Sequence, residues 1–194
     1  MVNEGMWNRT RQAAIGEISA IAMDLFLERG FEVTTFDDIA TAAGISRRSL
    51  FRYFGTKEDI VLVHLADEGK LALEALEARP DDEPVWTALL NVLLLIDDDG
   101  GDRERLLKIS EMMYDVPSLR SRSLEKHLQW QSDLLPEVKR RLGAASGDLQ
   151  AAAVIASAVA CLDAAGEIWT RSRGQIPLSH LLTDAFDAVQ QAAR

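Results

Sequence analysis

A cluster of cationic and hydroxyl side chains lies in the first third of this 194-residue chain. No acidic residue occurs between Thr41 and Lys57, although the whole chain carries a formal charge of −10. Guanidinium groups can pair with base edges, and hydroxyl and ammonium groups can hold phosphate oxygens. The local excess of positive charge therefore indicates a nucleic-acid contact surface, whose candidate residues are Ser46, Arg47, Arg48, Ser49, Arg52, Tyr53 and Lys57.

Helix-boundary signals place this cluster on a short helix. Thr35 followed by Asp38 has the spacing of a capping box, and Gly44 suits a tight reversal of the chain. Ser46 is a second capping residue. These signals predict a second helix at about 36–43, a turn, and a recognition helix at about 47–54. In a helix-turn-helix of this size, the recognition helix enters the major groove of DNA.

The rest of the chain also has helical periodicity, and no segment alternates with a period of two. The pattern predicts an all-α protein of about nine helices, with a kink or a break at Pro136. Residues 1–56 form a predicted DNA-binding domain, and residues 57–194 a second helical domain. The predicted helices outside the helix-turn-helix are about 10–29, 57–78, 84–96, 103–114, 118–142, 148–172 and 178–192.

Signals for catalysis, cofactors, metals and membranes are weak. His64, His127 and His180 are isolated and lack metal-ligand spacing, so we expect neither an enzyme nor a bound metal or cofactor. Cys161, the single cysteine, is expected to be a small buried residue. The N-terminus lacks the apolar core of a signal peptide, and the apolar stretch 151–162 is short for a bilayer. We therefore expect a cytoplasmic protein without a membrane partner.

The segment GFEVTTFDDIATAAGISRRSLFRYFGTKEDI resembles the signature of the TetR family, and the resemblance covers roughly residues 10–62. It implies that Thr35 and Ser46 approach phosphates, and that Tyr53 and Lys57 clamp the DNA backbone. Base reading would fall to Arg47, Arg48 and Ser49, beside the exposed Arg52. Two positions depart from the family pattern, since Arg48 replaces a frequent Gly or Pro and Phe51 replaces a frequent Tyr. Phe51 keeps apolar contact with a thymine methyl group, or packs in the core.

The resemblance also implies a homodimer formed through residues of about 148–172 and 178–192, and hence a palindromic DNA operator. A ligand cavity would lie between the middle helices and favour a small hydrophobic or aromatic effector. Asp163 and Glu167 would bind a cationic group there, or bind water at the rim of the dimer. Each remaining candidate for the cavity lining is equally compatible with ordinary core: Trp86, Leu90, Met112, Met113, Tyr114, His127, Trp130, Leu134 and Trp169.

These features favour a ligand-released transcriptional repressor. Three alternatives remain open from the sequence: an activator of the same fold, a helical module that binds proteins, and an architectural protein that binds DNA without sequence preference. The concentration of positive charge in one short helix weakens the last two alternatives.

Overall fold

The computed structural model describes residues 2–97, 102–143 and 146–192 of the chain. These residues form ten helices and no strand, which confirms the predicted all-α class. The helices are α1 Val2–Arg29, α2 Phe36–Ala42, α3 Arg47–Tyr53, α4 Lys57–Val61, α5 Val63–Glu77, α6 Val85–Asp97, α7 Arg103–Asp115, α8 Pro117–Leu142, α9 Asp148–Arg171 and α10 Leu178–Ala192.

Three boundaries differ from the sequence prediction. The predicted fourth helix is two helices, because Leu62 leaves the helical region with φ −93° and ψ 5°, with no glycine or proline to signal it. The first helix begins at Val2, well before the predicted start near residue 10. Of the kink or break predicted at Pro136, the break is wrong, since α8 continues through that residue. Proline removes the bond to the carbonyl four residues earlier, and that residue, Ser132, is exposed to water.

Two clusters of buried apolar residues stabilise the fold. The first joins the four helices α1, α2, α3 and α4. It includes Phe26, Ile39, Leu50 and Phe54, together with Leu119 from the start of α8. The second joins α5, α6, α8, α9 and α10 around residues that include Leu76, Val92, Ile155, Leu182 and Phe186. Leu119 is fully buried in the first cluster, so the corner between α7 and α8 is part of the packing of the helix-turn-helix.

Polar contacts reinforce this junction. Arg105 on α7 contacts Asp24 on α1 at 2.5 Å, and Arg122 on α8 contacts Asp59 on α4 at 2.7 Å. The buried Ser19 hydroxyl donates to the carbonyl oxygen of Ile60 at 2.7 Å. The middle helices and the helix-turn-helix are therefore joined by apolar packing, ion pairs and a buried hydrogen bond.

Helix α9 has 24 residues and a mean hydropathy of 1.7 over its most apolar window, so its length and composition would allow it to cross a membrane. The apolar stretch 151–162 is part of this longer helix, whose predicted bounds were about 148–172. One third of that window is buried within the protein, where α9 packs against α8 and α10. A core helix of a water-soluble protein meets the same criteria, so this feature is weak evidence for a membrane span.

Candidate nucleic-acid interface and internal cavity

Both short helices of the helix-turn-helix are capped by side chains, as the sequence predicted. The Thr35 hydroxyl accepts from the backbone N–H of Asp38 at 3.1 Å, and the Asp38 carboxylate accepts from the backbone N–H of Thr35 at 2.8 Å. Hydrogen bonds from the Thr35 side chain and then from its backbone lower the pKa of Asp38. The Ser46 hydroxyl accepts from the backbone N–H of Ser49 at 3.1 Å, and Gly44 has φ +65° in the turn. These caps fix where α2 and α3 begin.

Helix α3 has a buried face and a basic exposed face. Leu50 and the following Phe54 are buried against α1 and α2. The opposite side carries three exposed guanidinium groups, those of Arg47, Arg48 and Arg52. Ser49 and Tyr53 are half-buried at the margin of this side. The candidate base-reading and backbone-clamping residues on α3 thus lie around one basic surface.

The two arginines at the start of α3 differ in their surroundings. The Arg47 guanidinium lies 2.8 Å from the carboxylate of Asp37 and 5.5 Å from the ring centre of Phe51. Phe51 itself stacks on Phe36, with centroids 4.4 Å apart, and remains 46% exposed. Among the described residues, Arg48 has no ion pair or side-chain hydrogen bond. Arg48 therefore presents its charge to solvent, whereas Arg47 must exchange Asp37 for a new partner to contact DNA.

In this structure Lys57 donates to the backbone of the protein itself. Its ammonium group donates to the carbonyl oxygens of Phe31 at 2.6 Å, Thr34 at 3.0 Å and Glu32 at 3.3 Å. It also lies 4.5 Å from the ring centre of Phe31. An ammonium group has three N–H donors, and all three have carbonyl partners here. Lys57 therefore stabilises the turn before α2, and a phosphate contact would require one of these bonds to break.

A cavity of about 350 Å³, which is partly open to solvent, lies among the middle and C-terminal helices. Seven of the residues that the sequence proposed as its lining do line it: Met113, Tyr114, His127, Trp130, Asp163, Glu167 and Trp169. They come from α7, α8 and α9, so three helices that are separate in sequence meet around one space.

Four proposed lining residues lie elsewhere, which corrects that part of the prediction. Trp86 donates its indole N–H to the carbonyl oxygen of Phe186 at 3.3 Å and packs on that ring. Leu90 and Leu134 belong to the C-terminal apolar cluster, and Met112 packs against the N-terminal cluster. Composition identified large apolar residues correctly, but it did not give the rotation of each helix about its axis.

Other lining residues were missed by the sequence analysis. Most of them lie on α7, α8 and α9, and they include both apolar and polar residues. They are Glu68, Leu93, Leu106, Ile109, Ser110, Arg120, Ser123, Leu124, Leu162, Gly166, Leu178 and Leu182. Two glycines within helices were the sequence signal that could have located this region.

A Cβ added at Gly69 would lie 2.3 Å from the Trp130 indole, and one at Gly166 would lie 2.9 Å from the Tyr114 hydroxyl. Both glycines therefore allow an aromatic residue of the cavity to approach a helix backbone.

One wall of the cavity is polar. The Nδ1 atom of His127 lies 2.9 Å from a carboxylate oxygen of Asp163 and is buried without a hydrogen bond. The Tyr114 hydroxyl donates to the Asp163 carbonyl oxygen at 3.2 Å. Burial, followed by the negative charges of Asp163 and Glu167, raises the pKa of Tyr114 to about 12. Arg120 opposes this effect, because its guanidinium lies 5.6 Å from the Tyr114 ring centre and lowers the pKa of Tyr114.

Residues 18–63 match the profile of the bacterial regulatory proteins of the tetR family, and residues 83–194 match the MftR C-terminal domain. The chain is 31% identical over 193 residues to the mycofactocin biosynthesis transcriptional regulator MftR of Mycobacterium tuberculosis, covering 97% of this chain and 96% of that protein.

Solved structures of the same fold include FadR of Thermus thermophilus, a TetR-family repressor in complex with lauroyl-CoA. It has a TM-score of 0.61 and 21% identity, over 89% of this chain and 91% of that one. A TetR-family regulator from Syntrophomonas wolfei has a TM-score of 0.66 and 17% identity, over 94% and 95% of the two chains. The capped helix-turn-helix, the two profile matches and the nearly full-length similarity to MftR agree. The chain is therefore a transcriptional regulator that belongs to the tetR family of bacterial regulatory proteins.

Proposed function

We propose that this protein is a cytoplasmic homodimeric repressor, which binds a palindromic operator and leaves it when a small apolar ligand occupies the internal cavity. The observation that carries the proposal is the exposed basic face of α3 on an otherwise acidic protein. An acidic remainder weakens non-specific attraction to DNA, so binding depends on what this one face contacts.

The arrangement of α3 supports direct reading of bases. Arg48 and Arg47 lie in its first turn, which is the part of a recognition helix that reaches base edges. An arginine that pairs with guanine contributes about 1–3 kcal/mol of discrimination between bases. Thr35 and Ser46 lie at the N-termini of α2 and α3, where backbone N–H groups favour a phosphate. Tyr53 is half-buried at the margin of the same surface.

The exposed surface of α9 supports a dimer. Ile155 and Val159 on α9 are buried inside the protomer. The outward side instead carries alanines four residues apart, at Ala152, Ala156, Ala160 and Ala164. Such a row allows two helices to approach closely, and α10 packs beside it. A two-fold axis at α9 and α10 would relate two recognition helices and so favour a palindrome.

The route from cavity to DNA reader runs through α7. Ile109 and Met113 line the cavity, and both also pack against the apolar cluster of the helix-turn-helix. A ligand that displaces these side chains therefore changes the packing of α7 against the cluster that contains α1 and α4. If the ligand binds one arrangement of this junction better than the other, it shifts the population and changes the spacing of the recognition helices.

A gel shift on the DNA upstream of the protein's own gene tests this proposal. We expect a discrete complex with the wild type that weakens as salt rises, and no specific complex with Arg47→Ala or Tyr53→Ala. A complex no tighter than that on shuffled DNA would refute the regulator proposal. A reporter gene under the same DNA separates repression from activation, because deletion of a repressor raises expression.

A further inference from the structure

Among the residues that the structure describes, the lining of the cavity combines aromatic rings and carboxylates with one guanidinium group. Its aromatic residues are Tyr114, Trp130 and Trp169, and its acidic residues are Glu68, Asp163 and Glu167, against Arg120. The faces of aromatic rings attract cations, and carboxylates attract them at longer range. Apolar side chains form most of the remaining lining, so the cavity suits a molecule with a long apolar part and a positive charge.

The carboxylates differ in how far protein cations neutralise them. Glu167 contacts the guanidinium of Arg171 and lies 3.7 Å from that of Arg120. Asp163 has no lysine or arginine partner among the described residues, and its side chain contacts His127 instead. Of these two carboxylates, Asp163 is therefore the one that a cation from outside the protein would neutralise more effectively.

His127 supplies an independent observation at the same position. Its side chain is 10% exposed, and its Nδ1 atom is buried without a hydrogen bond. Buried polar atoms nearly always have a partner, so a buried atom without one marks a place where a ligand group fits. When Nδ1 of the neutral ring is an acceptor, it and the Asp163 carboxylate oxygen are two acceptors 2.9 Å apart. An ammonium group has three N–H donors, so one that bonds to Asp163 can also bond to Nδ1 if the His127 ring turns to expose that atom.

We propose that the ligand of this cavity carries a cationic amine on an apolar chain or ring, and that Asp163 and His127 receive the amine. This inference rests on the proposed function, in which the cavity binds the effector. It narrows that function, because a hydrophobic cation is preferred over an uncharged alcohol or a carboxylate with the same apolar part.

Isothermal titration calorimetry of the full chain with decylammonium, decan-1-ol and decanoate, below their micellar concentrations, tests the head-group preference. We expect decylammonium to bind at least tenfold more tightly than decan-1-ol, and decanoate to bind most weakly. Asp163→Asn has nearly the same shape as the wild type and removes the charge. It should reduce the affinity for decylammonium about tenfold and leave that for decan-1-ol unchanged.

Asp133→Asn is the matched control, since it removes one exposed carboxylate from α8 outside the cavity and gives the same net charge. Equal loss of decylammonium affinity in the two variants would show non-specific attraction to an acidic protein and overturn the inference. Equal or tighter binding of decan-1-ol or decanoate by the wild type would also overturn it. If decylammonium binds through Asp163 without releasing operator DNA, the head-group inference stands and the proposed regulation fails.

Discussion

Arg122 on α8 and Asp59 on α4 form an ion pair with 2.7 Å between Nη2 and Oδ1, which joins α8 to the helix that follows the recognition helix. The second oxygen of Asp59 accepts from the backbone N–H of Thr56 at 2.9 Å and so caps α4. Burial raises the pKa of Asp59, but hydrogen bonds from Thr56 and Arg122 outweigh it, and the net effect lowers the pKa. One carboxylate thus serves both a helix cap and the contact between the two apolar clusters.

Removing this pair should weaken the junction between the clusters. In urea unfolding we expect Arg122→Gln and Asp59→Asn each to lower the midpoint, and the double variant to lose less than the sum of the two. The difference between the sum of the single losses and the loss in the double variant should shrink at high salt, since both side chains are partly exposed. Lys126→Gln, on the same helix, is the control. Additive losses in the double variant would mean that the two groups do not interact in solution.

Gly69 is required for the close approach of Trp130. In Gly69→Ala, the new methyl group meets the indole at 2.3 Å, so α5 or the ring must move. We expect a loss of about 1–3 kcal/mol in the free energy of unfolding and a shifted tryptophan emission spectrum. Gly16→Ala on α1 has open space at its Cβ and should gain about 0.5–1 kcal/mol. The prediction fails if the two alanine variants are equally stable.

Arg48→Ala should lower operator affinity by about tenfold or more and relax the choice of base at one position. The reason is that Arg48 presents an unpaired charge at the start of α3, where base contacts are expected. Fluorescence anisotropy with operator variants measures both effects. Lys70→Ala removes an equal charge from an exposed position of α5 and should change affinity little. If both variants weaken binding to all sequences alike, Arg48 acts only through the overall charge.

Ala156→Glu should convert the proposed dimer to monomers, because it places a charge in the middle of the alanine row on α9. Light scattering after size-exclusion chromatography measures the mass directly. Ser132→Glu adds the same charge at an exposed position of α8 and should leave the dimer intact. A dimeric Ala156→Glu protein would place the interface on another surface.

Acid should destabilise the protein through buried carboxylates such as Glu137. Hydrogen bonds from Arg140 lower its pKa, burial opposes this, and the nearly fully buried Arg141 also lowers it. The folded state therefore binds the proton less readily than the unfolded chain. This contribution to stability is complete above the ordinary pKa, about 4.3, and is lost as pH falls through the depressed value.

Glu137→Gln should therefore cost about 2 kcal/mol or more at pH 7, because it leaves Arg141 without its charged partner. Its stability should also depend less on pH between about 5 and 3 than that of the wild type. Glu125→Gln, at an exposed position of α8, is the control for removing a surface carboxylate. A variant whose acid unfolding curve parallels that of the wild type would exclude Glu137 as a source of the pH dependence.

Local signals predicted the helix-turn-helix better than the cavity. The caps at Thr35 and Ser46 and the turn at Gly44 depend on interactions within a few residues, which can be read from the sequence. Lys57 reaches carbonyls more than 20 residues earlier, so its role as a turn stabiliser could not be predicted from neighbouring residues. Whether a residue lines the cavity depends on how its whole helix is rotated about its axis, which local signals do not give.

A DNase I footprint on the DNA upstream of the protein's own gene tests directly whether α3 reads a specific operator. We expect a protected segment with two-fold symmetry, whose half-sites are centred about one helical turn or a small multiple apart. The protection should persist in a large excess of shuffled DNA and be lost in Arg48→Ala at the same protein concentration. Uniform protection, or protection equal to that of the shuffled fragment, would contradict the claim that α3 reads a specific operator.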